Sequence, residues 1–92
     1  MIDGKNIAIT GILKFYKRKE AFDQITSRGG IPQTAVTKKT DYLVIGYYHD
    51  GKLKGEKSNK QARAEYYIEK GNDVKIISEE ELLGMLWNSP LK

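Results

Sequence analysis

Tyr42-Leu43-Val44-Ile45, followed by Gly46, is the strongest strand signal in this 92-residue chain. Its residues are apolar or aromatic and show no polar alternation, which is typical of a strand that is covered on both faces. Such strands occur mainly in parallel sheets with helices packed above and below. The stretch therefore predicts a central strand of an α/β domain.

Strand and helix patterns alternate outward from this stretch. Three further strands are predicted at 5–10, 31–36 and 74–77, the second weakened by Pro32. Helices are predicted to begin at Arg18, Ser58 and Ser78, and the last two have a glutamine or glutamate at the capping-box spacing. The apolar residues predicted to face the core from the helices are Ala21, Phe22, Ile25, Ala64, Tyr67, Ile68, Leu82, Leu83 and Leu86. The resulting order, β-α-β-β-α-β-α, predicts a mostly parallel sheet between helices.

Length and composition limit the classes of function. One domain is expected, at residues 4–87, with short tails at 1–3 and 88–92. The chain has no cysteine and one histidine, which excludes a disulfide scaffold, a thiolate metal site and a histidine-rich metal site. No apolar run is long enough to cross a membrane, and no nucleotide-binding or triad motif is present. We expect a non-catalytic cytoplasmic domain with no cofactor, no metal and no small-molecule substrate.

Positive charge is concentrated in two short segments of a chain whose formal net charge is +4. Residues 11–30 hold five basic residues against two acidic ones, and residues 51–60 hold four against one. The remainder from 61 to 92 is net negative. A fold that brings the two basic segments together would create a local anion site.

The pattern as a whole resembles the BRCT family over nearly the entire chain. Within that family it looks most similar to the domains of bacterial NAD-dependent DNA ligases, of DnaQ-like exonucleases and of the replication factor C large subunit. The residues that carry the resemblance are Thr10-Gly11, Arg18, Gly29-Gly30, the run Val36-Thr37-Lys38-Lys39-Thr40-Asp41-Tyr42-Leu43-Val44, Lys57, Lys60, Ala64 and Ile76-Ile77-Ser78-Glu79.

The resemblance implies a fold and a ligand. BRCT domains have four parallel strands in the order 2-1-3-4, with the first and third helices on one face and the second on the other. One subgroup binds 5′-phosphorylated DNA through a Thr-Gly pair, an arginine and a lysine. The matching residues here are Thr10, Gly11, Arg18 and Lys57, with Lys60 one turn further on.

These residue types suit a phosphate group chemically. Thr10 can donate a hydroxyl hydrogen bond, and Gly11 lets an oxygen approach its backbone N–H. Arg18 offers a charged planar fork, and Lys57 stands just before the N-terminus of the second helix. Because ligands of parallel sheets collect at the carboxyl ends of the strands, we expect these residues to meet there.

Further DNA contacts and two other functions stay open at this point. Secondary DNA contacts are predicted at Lys14, Lys17, Lys38, Lys39, Tyr47 and Tyr48. The acidic run Glu79–Glu81 is interpreted as a helix start that the dipole favours. One alternative function is a protein-interaction module, which would bind phosphopeptides or pair with another BRCT domain through Met85 and Trp87. The other is an inert spacer.

Overall fold

The computed structural model describes residues 2–46 and 59–92 and contains the predicted order of elements. The elements are β1 (Asn6–Thr10), α1 (Arg18–Ser27), β2 (Ile31–Gln33), β3 (Tyr42–Ile45), α2 (Asn59–Glu69), β4 (Lys75–Ser78) and α3 (Glu79–Trp87). The start predicted for the second helix at Ser58, with its capping box, lies outside the described residues.

The four strands form one parallel sheet in the order β2-β1-β3-β4. The register pairs Thr10 with Ile45 and Ile45 with Ser78, so β1, β3 and β4 end side by side. The parallel arrangement confirms the prediction from the sequence pattern, and the strand order confirms the one that the resemblance implies. This common edge is where the candidate site lies.

Helices cover both faces of the sheet and explain the apolar run of β3. Val44 points into a core shared with α1 and α3, whereas Leu43 points into a second core beneath α2, and both are fully buried. In β1, Ile7 and Ile9 face the first core, and Ala8 faces the second. Each fully buried aliphatic side chain contributes about 1.5–3 kcal/mol of transfer free energy. A two-helix face and a one-helix face therefore confirm the predicted layers.

The helical core positions were mostly predicted correctly. Ala21, Ile25, Ala64, Leu82 and Leu86 are buried, and Phe22, Tyr67 and Leu83 are half-buried. The prediction for Ile68 was wrong, because 42% of that residue is exposed. Since α2 packs alone on its face, a narrow stripe formed by Ala64 and Tyr67 is enough to seat it.

The second strand is shorter than the predicted span of 31–36. It ends at Gln33 and pairs only with β1, so Pro32 lies on an edge strand where a missing N–H is tolerated. Val36 follows the strand yet is buried in the α2-side core. Val36 is thus apolar because it is buried in the connection after β2, and not because it belongs to the strand.

Both ends of the chain pack onto the sheet layers. Ile2 is fully buried, and its N–H donates to the Ser89 hydroxyl at 3.3 Å. The Arg28 Nε donates to the Leu86 carbonyl at 2.8 Å, which ties the end of α1 to the end of α3. The domain bounds of 4–87 stay a prediction.

Candidate phosphate site

The candidate site lies at the carboxyl ends of the parallel strands. Thr10, the last residue of β1, is buried, and its carbonyl accepts from the Gly46 N–H at 2.8 Å. β4 ends at Ser78, and α3 begins at the next residue without an intervening loop. One short edge therefore holds the ends of three strands and the N-terminus of a helix.

Gly11 and Arg18 are in direct contact at this edge. Gly11 has a φ of +81°, a conformation that favours glycine, and it turns the chain out of the sheet. Arg18 is the first residue of α1, and its Nη2 donates to the Gly11 carbonyl at 2.9 Å. A guanidinium has five N–H donors, so this bond orients the exposed group while leaving donors for a ligand. The structure thus brings together two of the predicted phosphate ligands.

Close backbone packing fixes the start of the loop that follows β1, which we call the 11–17 loop. A Cβ on Gly46 would lie 2.5 Å from the Ile12 carbonyl oxygen, closer than real Cβ contacts occur. Gly46 therefore lets the end of β3 lie directly against the loop. The glycine that follows β3 has a packing role that the sequence did not reveal.

A buried carboxylate braces the middle of the 11–17 loop. Glu79, the first residue of α3, is 1% exposed, and its two oxygens accept from the N–H groups of Lys14 at 2.6 Å and Phe15 at 2.8 Å. Ser78 and Glu81 form the predicted capping box, with the Glu81 N–H donating to Ser78 Oγ at 3.1 Å.

The interpretation of the acidic run misses this role of Glu79. The dipole accounts for carboxylates in the first turn, but one of the three is also a buried ligand for a loop 64 positions away. The available signal was its position directly after a strand, at the edge where the 11–17 loop must also lie. That position predicts that Glu79 lies near the 11–17 loop, but it does not predict the hydrogen bonds to Lys14 and Phe15.

An open depression beside this loop is lined by residues 11–18 and Glu20. Lys14 and Lys17, predicted as secondary contacts, are exposed residues of this lining. The Lys14 Nζ lies 5.8 Å from the centre of the Phe15 ring. The Lys17 N–H donates to the Glu20 carboxylate at 2.8 Å, which caps the start of α1. The lining of the depression thus holds three basic residues, one acidic residue and an exposed aromatic residue.

The remaining predicted residues fall into three groups. Lys60 is half-buried in the first turn of α2, and the helix returns the chain to the start of β4, so that turn faces the carboxyl-end side. Lys57, Tyr47 and Tyr48 lie outside the described residues.

Lys38 and Lys39 lie at the opposite edge of the sheet. The Lys39 carbonyl accepts from Asn6 Nδ2 at 3.0 Å, and Asn6 begins β1. Because β1 is five residues long, its two ends are about 13 Å apart. The structure therefore does not bring this lysine pair to Thr10, although their roles in DNA binding stay a prediction.

Metal-binding clusters and membrane spans are both absent from the part of the chain that the structure describes. Within residues 2–46 and 59–92 no group of three or more histidine, cysteine, aspartate or glutamate side chains is placed to hold a metal ion. None of the helices described is long and apolar enough to cross a membrane.

Parts of several DNA ligases are similar to this chain. A DNA ligase of Chlorobium chlorochromatii is 33% identical over 84 residues, which is 91% of this chain and 11% of the ligase. A DNA ligase of Prochlorococcus marinus (strain NATL1A) is 40% identical over 82 residues, which is 89% of this chain and 10% of the ligase. For a DNA ligase of Thermoanaerobacter sp. (strain X514) the identity is 43% over 54 residues, which is 59% of this chain and 8% of the ligase.

The matched ligases are much longer than the chain, which spans about a tenth of the length of these curated relatives. No family model matches the chain. The similarity therefore concerns one small region of the DNA ligases.

Proposed function

We propose that this chain is a BRCT-type, non-catalytic module that binds the phosphate group of a 5′-phosphorylated DNA end or nick, within a protein of DNA replication or repair. The observation that carries the proposal is the contact between the Arg18 guanidinium and the Gly11 carbonyl at 2.9 Å. Gly11 and Arg18 match the glycine and the arginine with which the phosphate-binding BRCT subgroup holds its ligand. They meet here at the carboxyl edge of a sheet in the order 2-1-3-4.

The chemistry of binding follows from the groups at that edge. A terminal phosphate dianion would accept from the Arg18 donors, from the Gly11 N–H and from the Thr10 hydroxyl, with Lys60 and Lys57 supplying charge from the second helix. Specificity would come from the phosphate itself, because none of these groups reads base edges. The rest of the affinity would be electrostatic attraction to the backbone and would fall steeply with salt.

The DNA ligase relatives support a DNA partner. A region that makes up about a tenth of a ligase is too small to hold the whole reaction, so the joining chemistry would belong to the remainder of a parent protein. In that setting the module would hold one of the DNA ends. We infer no cofactor for the module itself.

A titration of two DNA duplexes tests the proposal. The chain is titrated against one recessed duplex carrying either a 5′-phosphate or a 5′-hydroxyl, at two salt concentrations. We expect the phosphate to tighten binding by at least about tenfold, or about 1.4 kcal/mol. Arg18→Ala and Lys57→Ala should each remove most of this phosphate gain. Equal binding of both duplexes, with dependence on salt alone, would contradict the proposal.

A second candidate function rests on an exposed aromatic side chain. Trp87, at the end of α3, is 89% exposed, and Leu91 beyond it is 69% exposed. Trp87 suits the protein-interaction alternative, in which the chain pairs with a second domain. Met85, the other residue predicted for that interface, is instead partly buried against the core. A sedimentation coefficient that rises with concentration, and stops rising in Trp87→Ala, would favour it.

A further inference from the structure

We propose that Phe15 stacks on the exposed face of the terminal base pair of the bound DNA, so that the module reads an open duplex end and not only a phosphate. The inference rests on the proposed function for its ligand. The surface that Phe15 would contact is the face of the last base pair of the duplex, at the end whose 5′-phosphate is held beside Arg18.

The starting observation is an exposed apolar pair next to the candidate phosphate site. Phe15 is 54% exposed and Ile12 is 53% exposed, and both lie in the 11–17 loop. The same depression is lined by Gly11 and Arg18. Exposed apolar residues scattered singly need no explanation, but these two flank a site that is otherwise built for a charged ligand.

The backbone that carries the ring is held in place from within the domain. The Glu79 carboxylate accepts from the Phe15 N–H at 2.8 Å and from the preceding Lys14 N–H at 2.6 Å. Because Glu79 is almost completely buried, the loop is braced against α3. A ring on a braced backbone loses less conformational freedom on binding than one on a loose loop, which favours affinity.

The charge near the ring favours a nucleic acid as its partner. Lys14 Nζ lies 5.8 Å from the ring centre, and Lys17 and Arg18 line the same depression with one acidic residue, Glu20. An aromatic ring beside a cation suits a stacked base flanked by phosphates, the combination that proteins binding single strands use. A purely apolar protein partner would leave these cations facing uncharged surface.

The geometry of DNA then selects an end over a nick. An internal phosphate and a terminal one both attract cations, but only an open end presents the flat face of a base pair to the solvent. At a nick the two flanking base pairs remain stacked on each other, so Phe15 would first have to separate them. The ring therefore adds discrimination that Thr10, Gly11 and Arg18 do not provide.

Three DNA substrates separate the two proposals. They are an open recessed end with a 5′-phosphate, the same end with a 5′-hydroxyl, and a dumbbell of equal length closed by hairpin loops. The ratio of the Kd values for the two open ends gives the phosphate gain. The ratio of the dumbbell Kd to the 5′-hydroxyl Kd gives the end gain, which contains no terminal phosphate. A dumbbell with one phosphorylated nick completes the set.

Phe15→Ala is compared with Phe15→Trp and with Trp87→Ala, the matched removal of an exposed aromatic ring at the far end of α3. We expect Phe15→Ala to reduce the end gain about tenfold, equally at low and high salt, and to leave the phosphate gain within about twofold. Phe15→Trp should keep the end gain, and Trp87→Ala should change neither ratio. The phosphorylated nick should bind wild type more weakly than the phosphorylated open end.

An unchanged end gain in Phe15→Ala, or no end gain in the wild type, would overturn the stacking inference. A missing phosphate gain in the wild type would overturn the proposed function instead, and the end gain would still decide the role of Phe15. Because Phe15 is more than half exposed, Phe15→Ala should fold normally, and a urea unfolding curve verifies this.

Discussion

Two lysine-bearing connections of this domain differ in what surrounds their charge. The 11–17 loop lies at the carboxyl ends of the strands, and the turn at residues 37–40 lies at the amino ends. At the end of the first, Arg18 donates to the Gly11 carbonyl, and the ion pairs found within residues 2–46 and 59–92 do not involve it. Just beyond the second, the Asp41 carboxylate accepts from the backbone N–H of Asn6, the first residue of β1, at 2.8 Å.

The two connections are also braced in different ways. The 11–17 loop is held by Glu79, which is more than sixty residues away in sequence. The 37–40 turn is held locally, since the Thr40 hydroxyl accepts from the Thr37 N–H at 2.9 Å and donates to the Gln33 Oε1 at 2.5 Å. A count of charge thus locates both basic segments, whereas an anion site also needs donors that converge, as Gly11 and Arg18 do at the carboxyl ends of the strands.

The largest effect is expected from removing the distant brace. Glu79→Ala deletes a charged acceptor of two hydrogen bonds, each worth about 1.5–3 kcal/mol, and we expect a loss of about 3 kcal/mol in the free energy of unfolding. Because the 11–17 loop begins at Gly11 and leads into Arg18, the phosphate gain should fall with it. Urea unfolding and the two-duplex titration measure these quantities.

Glu80→Ala is the control for this prediction. Glu80 is the exposed neighbour in the same helical turn, so its removal should change stability by no more than about 0.5 kcal/mol. Glu79→Gln keeps one acceptor oxygen and should fall between the two. Equal stability of the Glu79 and Glu80 variants would show that the brace is not needed.

A smaller and purely structural effect is expected from the local brace. Thr40→Val keeps the side-chain shape but removes the hydroxyl that serves both Thr37 and Gln33 in a buried position. The loss in the free energy of unfolding should be about 1–2 kcal/mol. Unlike Glu79→Ala, this variant should keep the full phosphate gain in the two-duplex titration. A reduced gain would mean that the two edges are coupled through the sheet.

How far the sequence predicts this molecule depends on the distance between the interacting residues. The run Tyr42–Ile45 predicts its strand bounds without error because burial on both faces leaves a local signature. The α3 capping box is equally local and is confirmed. The burial predicted for Ile68 is wrong for a physical reason. A helical stripe shows which residues can be buried, whereas the sheet surface under α2 determines how many of them are.

The candidate site is predictable only in part for the same reason. Thr10, Gly11 and Arg18 are close in sequence, and the parallel fold implies the edge at which they meet. The Glu79 contact joins residues at opposite ends of the chain, and no spacing rule encodes it. A count of charge does not say at which edge of the sheet a lysine lies. Only the fold shows that Lys39 and Thr10 lie at opposite edges.

The smallest effect is expected at the lysines of the 37–40 turn. If Lys38 and Lys39 bind DNA at all, they do so as point charges on the backbone, about 13 Å from the end of β1. The slope of log K against log salt is negative, and Lys38→Ala and Lys39→Ala should then each reduce its magnitude by about 0.9, because each removes one cation from a DNA phosphate. The phosphate gain at any one salt concentration should not change, because the terminal phosphate is held at the other edge. A lysine variant without the phosphate gain would place the phosphate at the amino ends of the strands. The interaction between Gly11 and Arg18 would then serve only to start the helix.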